Sequence, residues 1–307
     1  KDLLLRVPIP ASGGIPSNAA LENAGKIQNK GIEFQLTTRN LVKKFKWTTD
    51  FNISFNQNRV LDMVGTFIKI GAVETRGNTS IAQVGLPLGT FWGYIYDGVD
   101  PATGNAVYRD LDKNGTIDEN DKTVIGDANP KYILGMTNSF SYGNFTLNVF
   151  LQGMQGNQIF NASRVLSEGM TDGKSQSAAV LRRWTTVGQI TDIPRQSLND
   201  PGIPDPTYNS LISSRYVEDG AYIRLKSVTL GYNLPASLIS KLKMSRCQIY
   251  VTSENLFTIT KYSGFDPEVS SFAASGDSNS LKNIAPGVDF GTYPQSRDVL
   301  FGLNISF

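Results

Sequence analysis

The sequence predicts an all-β protein, an antiparallel transmembrane β-barrel to which this chain contributes about seven C-terminal strands of a larger barrel, with long extracellular loops. Three observations predict it. Segments of about ten residues alternate apolar and polar side chains, the length a tilted membrane-crossing strand needs. Short and long connections then alternate strictly along the chain. Aromatic residues gather beside the short connections, as in an interfacial girdle.

The segment Gly31 to Arg39 places Ile32, Phe34 and Leu36 on one face and Glu33, Gln35 and Thr37 on the other. In Trp47 to Asn56, Trp47, Phe51, Ile53 and Phe55 share a face that only Thr49 interrupts, opposite Thr48, Asp50, Asn52 and Ser54. Successive side chains of a strand point to opposite faces, so each segment has one greasy and one wet side. Phe145 to Gly153 repeats the pattern with Phe145, Leu147, Val149 and Leu151, opposite Thr146, Asn148 and Gln152. The last strand does so with Val299, Phe301, Leu303, Ile305 and Phe307. Lys131 to Tyr142, Ala221 to Leu234 and Arg246 to Phe257 are less regular strands. The apolar phase slips by one within Ile223 to Val228, which predicts a β-bulge there.

The short connections are Asn40 to Lys46, Tyr142-Gly143-Asn144 and Pro235 to Ser245; the long ones are Gln57 to Pro130, Met154 to Gly220 and Thr258 to Ser296. Outer-membrane barrels have short periplasmic turns and long extracellular loops. That assignment sends the last strand toward the periplasm, so the chain ends on that side at Phe307. About seven strands would leave two unpaired edges in lipid, which upstream strands must cover. The chain starts at Lys1 with neither Met nor a signal peptide, and for an outer-membrane protein this predicts a missing beginning.

Composition narrows the chemistry. Charged residues are 18% of the 307, against about 25% in an average soluble protein, and the net charge is +2, which favours neither nucleic acid nor a basic membrane anchor. With no histidine, the Ser-His-Asp and Cys-His nucleophile pairs and His-bound zinc have no residues to build them. Cys247 stands alone in an apolar strand pattern, where a packed thiol is expected. The chain therefore reads as a non-enzyme.

One segment, within the long 57–130 loop, has metal-ligand spacing. Asp110 to Asp121 fits a twelve-residue calcium loop, with oxygen donors Asp110, Asp112, Asn114, Asp118 and Asp121 at positions 1, 3, 5, 9 and 12. Thr116 would offer its carbonyl, and Gly115 permits the sharp turn. Aspartate at the last position is shorter than the usual glutamate, and the flanks do not read as helices. The expectation is a structural Ca²⁺ held weakly, with a Kd of about 10⁻⁴ to 10⁻³ M. Trp92, Tyr94 and Tyr96, spaced by two on an extended segment, are candidates for stacking against a substrate sugar, or else simply hold the loop together.

Further motifs run in order along the chain: Asn23-Ala24-Gly25-Lys26-Ile27-Gln28-Asn29-Lys30-Gly31-Ile32-Glu33, Gly85-Leu86-Pro87-Leu88-Gly89-Thr90-Phe91-Trp92-Gly93-Tyr94, and Gly126-Asp127-Ala128-Asn129-Pro130. Ala221-Tyr222-Ile223-Arg224-Leu225-Lys226, Glu254-Asn255-Leu256-Phe257, Gly264-Phe265-Asp266-Pro267-Glu268 and Phe301-Gly302-Leu303-Asn304-Ile305-Ser306-Phe307 follow. In this order they resemble the SusC/RagA-type TonB-dependent outer-membrane transporters of Bacteroidetes. The resemblance implies a barrel of about 22 strands with a plugged lumen. It also implies import of oligosaccharides or peptides, driven through TonB, with a SusD-like surface lipoprotein as partner. The family's plug and TonB box lie upstream, and nothing here matches them. The rival reading is a secreted, calcium-stabilised β-sandwich that binds glycans, in which the apolar face would meet a second sheet.

Overall fold

The computed structural model describes residues 3–8, 19–63, 65–73, 76–171, 175–196, 209–269 and 285–307. Parts of all three long connections therefore lie outside the described residues. No helix among those described is long and apolar enough to cross a membrane.

Eight antiparallel strands form one sheet: β1 Leu3–Pro8, β2 Ala19–Val42, β3 Phe45–Met63, β4 Tyr132–Tyr142, β5 Phe145–Gln155, β6 Tyr222–Asn233, β7 Arg246–Thr260 and β8 Asp298–Ser306. Each pairs with the strands before and after it in this series. The seven segments expected from alternation are β2 to β8. The eighth, β1, pairs through Leu3↔Gly25 to Pro8↔Ala19 with the start of β2, which runs well beyond the segment its alternation marked.

The short connections all fall at one end of the sheet, where Tyr142 pairs with Phe45, Phe145 with Tyr232, and Arg246 with Ser306. Between β4 and β5 the turn is only Gly143-Asn144. Gly143 has φ +56°, a left-handed conformation that suits glycine at the first position of a two-residue hairpin loop. The predicted bulge lies at Lys226, which the pairing with β5 skips as it steps from Phe150↔Ser227 to Leu151↔Leu225; toward β7 the step from Leu225↔Phe257 to Ser227↔Glu254 leaves the extra residue on β7 instead. Asn255 opposite takes φ +51° to absorb the slip.

The two faces of the sheet differ sharply. On one, Leu36 pairs with Phe51, Phe51 with Met136, and Met136 with Leu151 in an apolar row. Ile32 is 74% exposed and Phe301 83%, and among the described residues no second sheet packs on this face. That removes the sandwich reading. Thr49, the polar interruption, is satisfied within the sheet: its Oγ1 donates to Asn138 Oδ1 (2.7 Å) and accepts from Asn40 Nδ2 (2.9 Å). Trp47 Nε1 also donates to Asn138 Oδ1, at 3.0 Å. A polar group facing hydrocarbon needs such internal partners.

The opposite face carries Gln35, Asn52 and Gln152 in register, followed by Arg224. Arg224 is 2% exposed. Its Nε donates to Thr258 Oγ1 (2.8 Å), its Nη1 to Glu268 (2.7 Å) and its Nη2 to Asp266 (2.5 Å). The Gly264 to Glu268 segment after β7 thus folds back against the wall. The apolar core lies in the long connections rather than in the sheet. Phe91, Phe160, Val165, Ile212, Tyr216 and Val288 pack there, with the Phe91 and Phe160 rings 5.9 Å apart. Short strands such as Phe67–Ala72, Asn78–Gln83, Thr90–Gly93 and Thr123–Asp127 build a small second sheet within them.

Candidate functional site

The calcium-type loop begins after the strand Ala106–Tyr108 and ends in the strand Thr123–Asp127, so its flanks are strands, not helices. Carboxylate oxygens of Asp110, Asp112 and Asp121 lie within 4.8 Å of one another. Asp121 is fully buried; its oxygens accept from Leu111 N (2.7 Å) and Asp118 N (2.8 Å), tying the two ends of the loop together. Gly115, with φ +85°, donates its N–H to Asp110 Oδ2 at 2.8 Å. Asn114 Oδ1 accepts from Thr116 N, at 2.7 Å. Asp118 stands apart from the carboxylate trio. Its Oδ1 accepts from Asn120 N and caps the single helical turn Glu119–Asp121.

Electrostatics divides the trio. The Gly115 N–H holds the Asp110 carboxyl below the usual carboxylate range. Desolvation, with Asp110 and Asp121 nearby, pushes Asp112 above it. A raised folded-state pKa means that the loop without a cation is penalised once Asp112 ionises, and protonation relieves this as pH falls. A bound cation would relieve the same repulsion without a proton.

The three residues of the aromatic run sit in different surroundings. Tyr94 is 6% exposed, with the Tyr108 ring 5.7 Å away and Lys122 Nζ 5.2 Å from its centroid. Tyr96 also packs against Tyr108, with ring centroids 5.9 Å apart, lies under the Arg215 guanidinium, and donates its hydroxyl to Asp192 O. Burial pushes its pKa up to about 12. Both rings contact other loop segments. Trp92 is half-buried on the strand Thr90–Gly93.

A polar cleft of about 560 Å³ lies in the later loops, lined by Arg164, Glu168, Glu218, Ser263, Phe265 and Asp289 among others. Arg164 bridges Glu168 (2.7 Å) and Glu218 (2.9 Å), and Arg215 reaches Glu168 at 3.0 Å. Phe265 is 81% exposed at its edge. Sequence reasoning missed this cleft. The pair Arg164 and Glu168, four residues apart and following the cap residue Asn161, was the one local signal.

Known proteins match the whole chain. A TonB-dependent receptor (P3) of Formosa agariphila is 34% identical over 100% of this chain and 31% of its own length. The TonB-dependent receptor SusC of Bacteroides thetaiotaomicron is 27% identical over 100% of the chain and 29% of its length. A solved structure of the RagAB peptide transporter superposes with a TM-score of 0.78 at 21% identity, covering 100% of this chain and 32% of that one. No protein-family model matches. The chain spans about a third of the length of the curated relatives. With an identity of 34% along the full chain and a shared barrel architecture, the chain belongs to the SusC/RagA-type TonB-dependent receptors and forms part of their β-barrel.

Proposed function

We propose that this chain is a wall segment of an outer-membrane importer that takes up oligosaccharide, with peptide as the second reading because the superposed RagAB structure is a peptide transporter. The observation that carries the proposal is the asymmetry of the sheet. An apolar, lipid-type face backs a polar face onto which loops fold, as in a wall between bilayer and lumen. The polar cleft beside Phe265 and the half-buried Trp92 suit a ligand rich in hydroxyl or amide groups. Energy would reach the wall through TonB acting on a plug, in a barrel of about 22 strands, with a SusD-like lipoprotein closing over the long loops. With the long loops outside, the short turns and Phe307 would face the periplasm.

Two measurements test this in the whole receptor. Deleting it should abolish growth on one class of oligosaccharide or peptide as sole nutrient; undiminished growth on every class tried would end the importer reading. For orientation, Val187→Cys in a long loop should react with a membrane-impermeant maleimide on intact cells, while Lys43→Cys at a short turn should not. Cys247 is buried and adds little background. The reverse labelling would invert the topology.

We also propose that Asp110, Asp112, Asn114, Thr116 and Asp121 hold a structural Ca²⁺, with Asp118 contributing through a water, as position 9 often does. Millimolar calcium should protect the loop from proteolysis in the whole receptor, with half-saturation at about 10⁻⁴ to 10⁻³ M. Protection should fade as pH drops, because Asp112 takes up its proton at higher pH than an ordinary aspartate. Asp110→Asn with Asp112→Asn should remove the effect. Equal protection of wild type and variant would rule the site out.

A further inference from the structure

The β3–β4 ladder ends at Ser54↔Ile133, although β3 continues to Met63. The next main-chain hydrogen bonds on that side are at Val60, which donates its N–H to Leu86 O and accepts from Gly85 N, while the Asn58 side chain accepts from Leu88 N. Between these points the wall splays around a cavity of about 680 Å³, lined by β2, β3, the Gly85–Pro87 turn and residues 127–131.

Side-chain parity places Lys30, Ile32, Phe55 and Arg59 on the outward, apolar-row face, since Ile32 pairs with Phe55 and Lys30 with Gln57. Lys131 closes the other side of the cavity. All three cations are exposed, and none has an ion-pair partner among the described residues. The single carboxylate lining the cavity, Asp127, accepts from Asn129 N and Nδ2 at 2.9 and 2.7 Å, both on Oδ1.

Height fixes what such a cavity would meet. From Phe45 to Phe55 the strand climbs about 34 Å at about 3.4 Å per residue. Tilted by about 40°, that is about 26 Å, close to the apolar band of about 25 Å in such barrels. Phe45 lies in the aromatic row at the short-turn end, with Phe140 6.0 Å away; Phe55 and Tyr132, 5.9 Å apart, mark the opposite border. Lys30, Arg59 and Lys131 sit just above that second border, at headgroup level.

We propose that this splay is a binding site for a lipid with a net-anionic phosphate headgroup in the outer leaflet. The cations would take the phosphate, while Ile32, Phe55 and Tyr132 receive the first part of the chains. The site rests on the reading of the sheet as a membrane wall. Its test uses the whole receptor in neutral detergent micelles doped with phosphatidic acid, beside micelles doped with phosphatidylcholine and beside inorganic phosphate alone. Wild type should bind phosphatidic acid saturably, phosphatidylcholine much less, and millimolar phosphate should not displace the lipid. Lys30→Gln, Arg59→Gln and Lys131→Gln should each weaken binding about fivefold, and together about a hundredfold. Should the triple variant fail to fold, the single variants carry the test. Lys43→Gln with Lys44→Gln, at the opposite end of the wall, should change nothing. Binding unaffected by all three substitutions, no lipid binding by wild type, or full displacement by phosphate alone would each overturn the proposal. Failure of the membrane reading would look different: the receptor would then be recovered folded without detergent.

Discussion

Replacing Arg224 with methionine is expected to destabilise the folded receptor by about 3–5 kcal/mol, among the largest effects of any single change in this wall. Arg224 has three side-chain partners, and Asp266 is 6% exposed. Removing the guanidinium leaves a buried carboxylate without its counter-charge. Burial alone would push the Asp266 carboxyl up, but the N–H groups of Gln295 and Glu268, together with Arg224, hold it below the ordinary range. A depressed folded-state pKa contributes stability that is present above the unfolded value and lost as pH falls through the folded one. The Gly264 to Glu268 segment should therefore detach in acid in the wild type, and already at neutral pH in the variant. Limited proteolysis of that segment reads both. Adding Asp266→Asn to the variant should recover part of the loss, because the stranded charge goes with it. A variant as protease-resistant as wild type would show that the segment is held by something else.

The second large effect separates the two faces. Leu36→Arg sits near mid-height of the apolar face, paired with Phe51, and should cost about 2–4 kcal/mol in a bilayer. Gln35→Arg, one residue earlier on the polar face beside Asn52, should stay within about 0.5 kcal/mol. Urea unfolding of the receptor in lipid vesicles measures both. Equal costs at the two positions would mean that lipid does not contact this face.

How much of this was legible follows from what alternation can and cannot report. Phe51, Ile53 and Phe55 announce a strand because lipid demands an apolar side chain at every second position. The same rule placed Leu147, Leu303 and the slip at Lys226. Thr49 broke the rule only on paper, since its partner Asn138 lies on another strand. β1 escaped notice because Leu3 to Pro8 opens with three leucines in a row and shows no alternation. The loop interior was opaque for a related reason. Phe91, Phe160 and Tyr216 meet across long separations from strands a few residues long, which carry no period to detect. In the calcium-type loop, Asp110, Asp112 and Asp121, spaced along the sequence as ligands would be, bring their carboxylates within 4.8 Å of one another. Spacing could not foresee that Asp118 would be drawn off to cap the following turn, a competition settled only once the chain folds.

The neighbour order of the wall bears on how it assembles. Every strand pairs with its predecessor in the series, so no connection has to cross another. Closing a flexible segment costs only about 0.6 kcal/mol more for each doubling of its length. The long excursion between β3 and β4 is about five doublings longer than the two-residue turn at Gly143-Asn144 and so costs about 3 kcal/mol more to close, whereas a further change in its length adds little. The tight hairpins can zip first and supply the template, while the excursions condense afterwards around Phe91 and Phe160. Variation in the length of those excursions then adds little to the cost of building the wall.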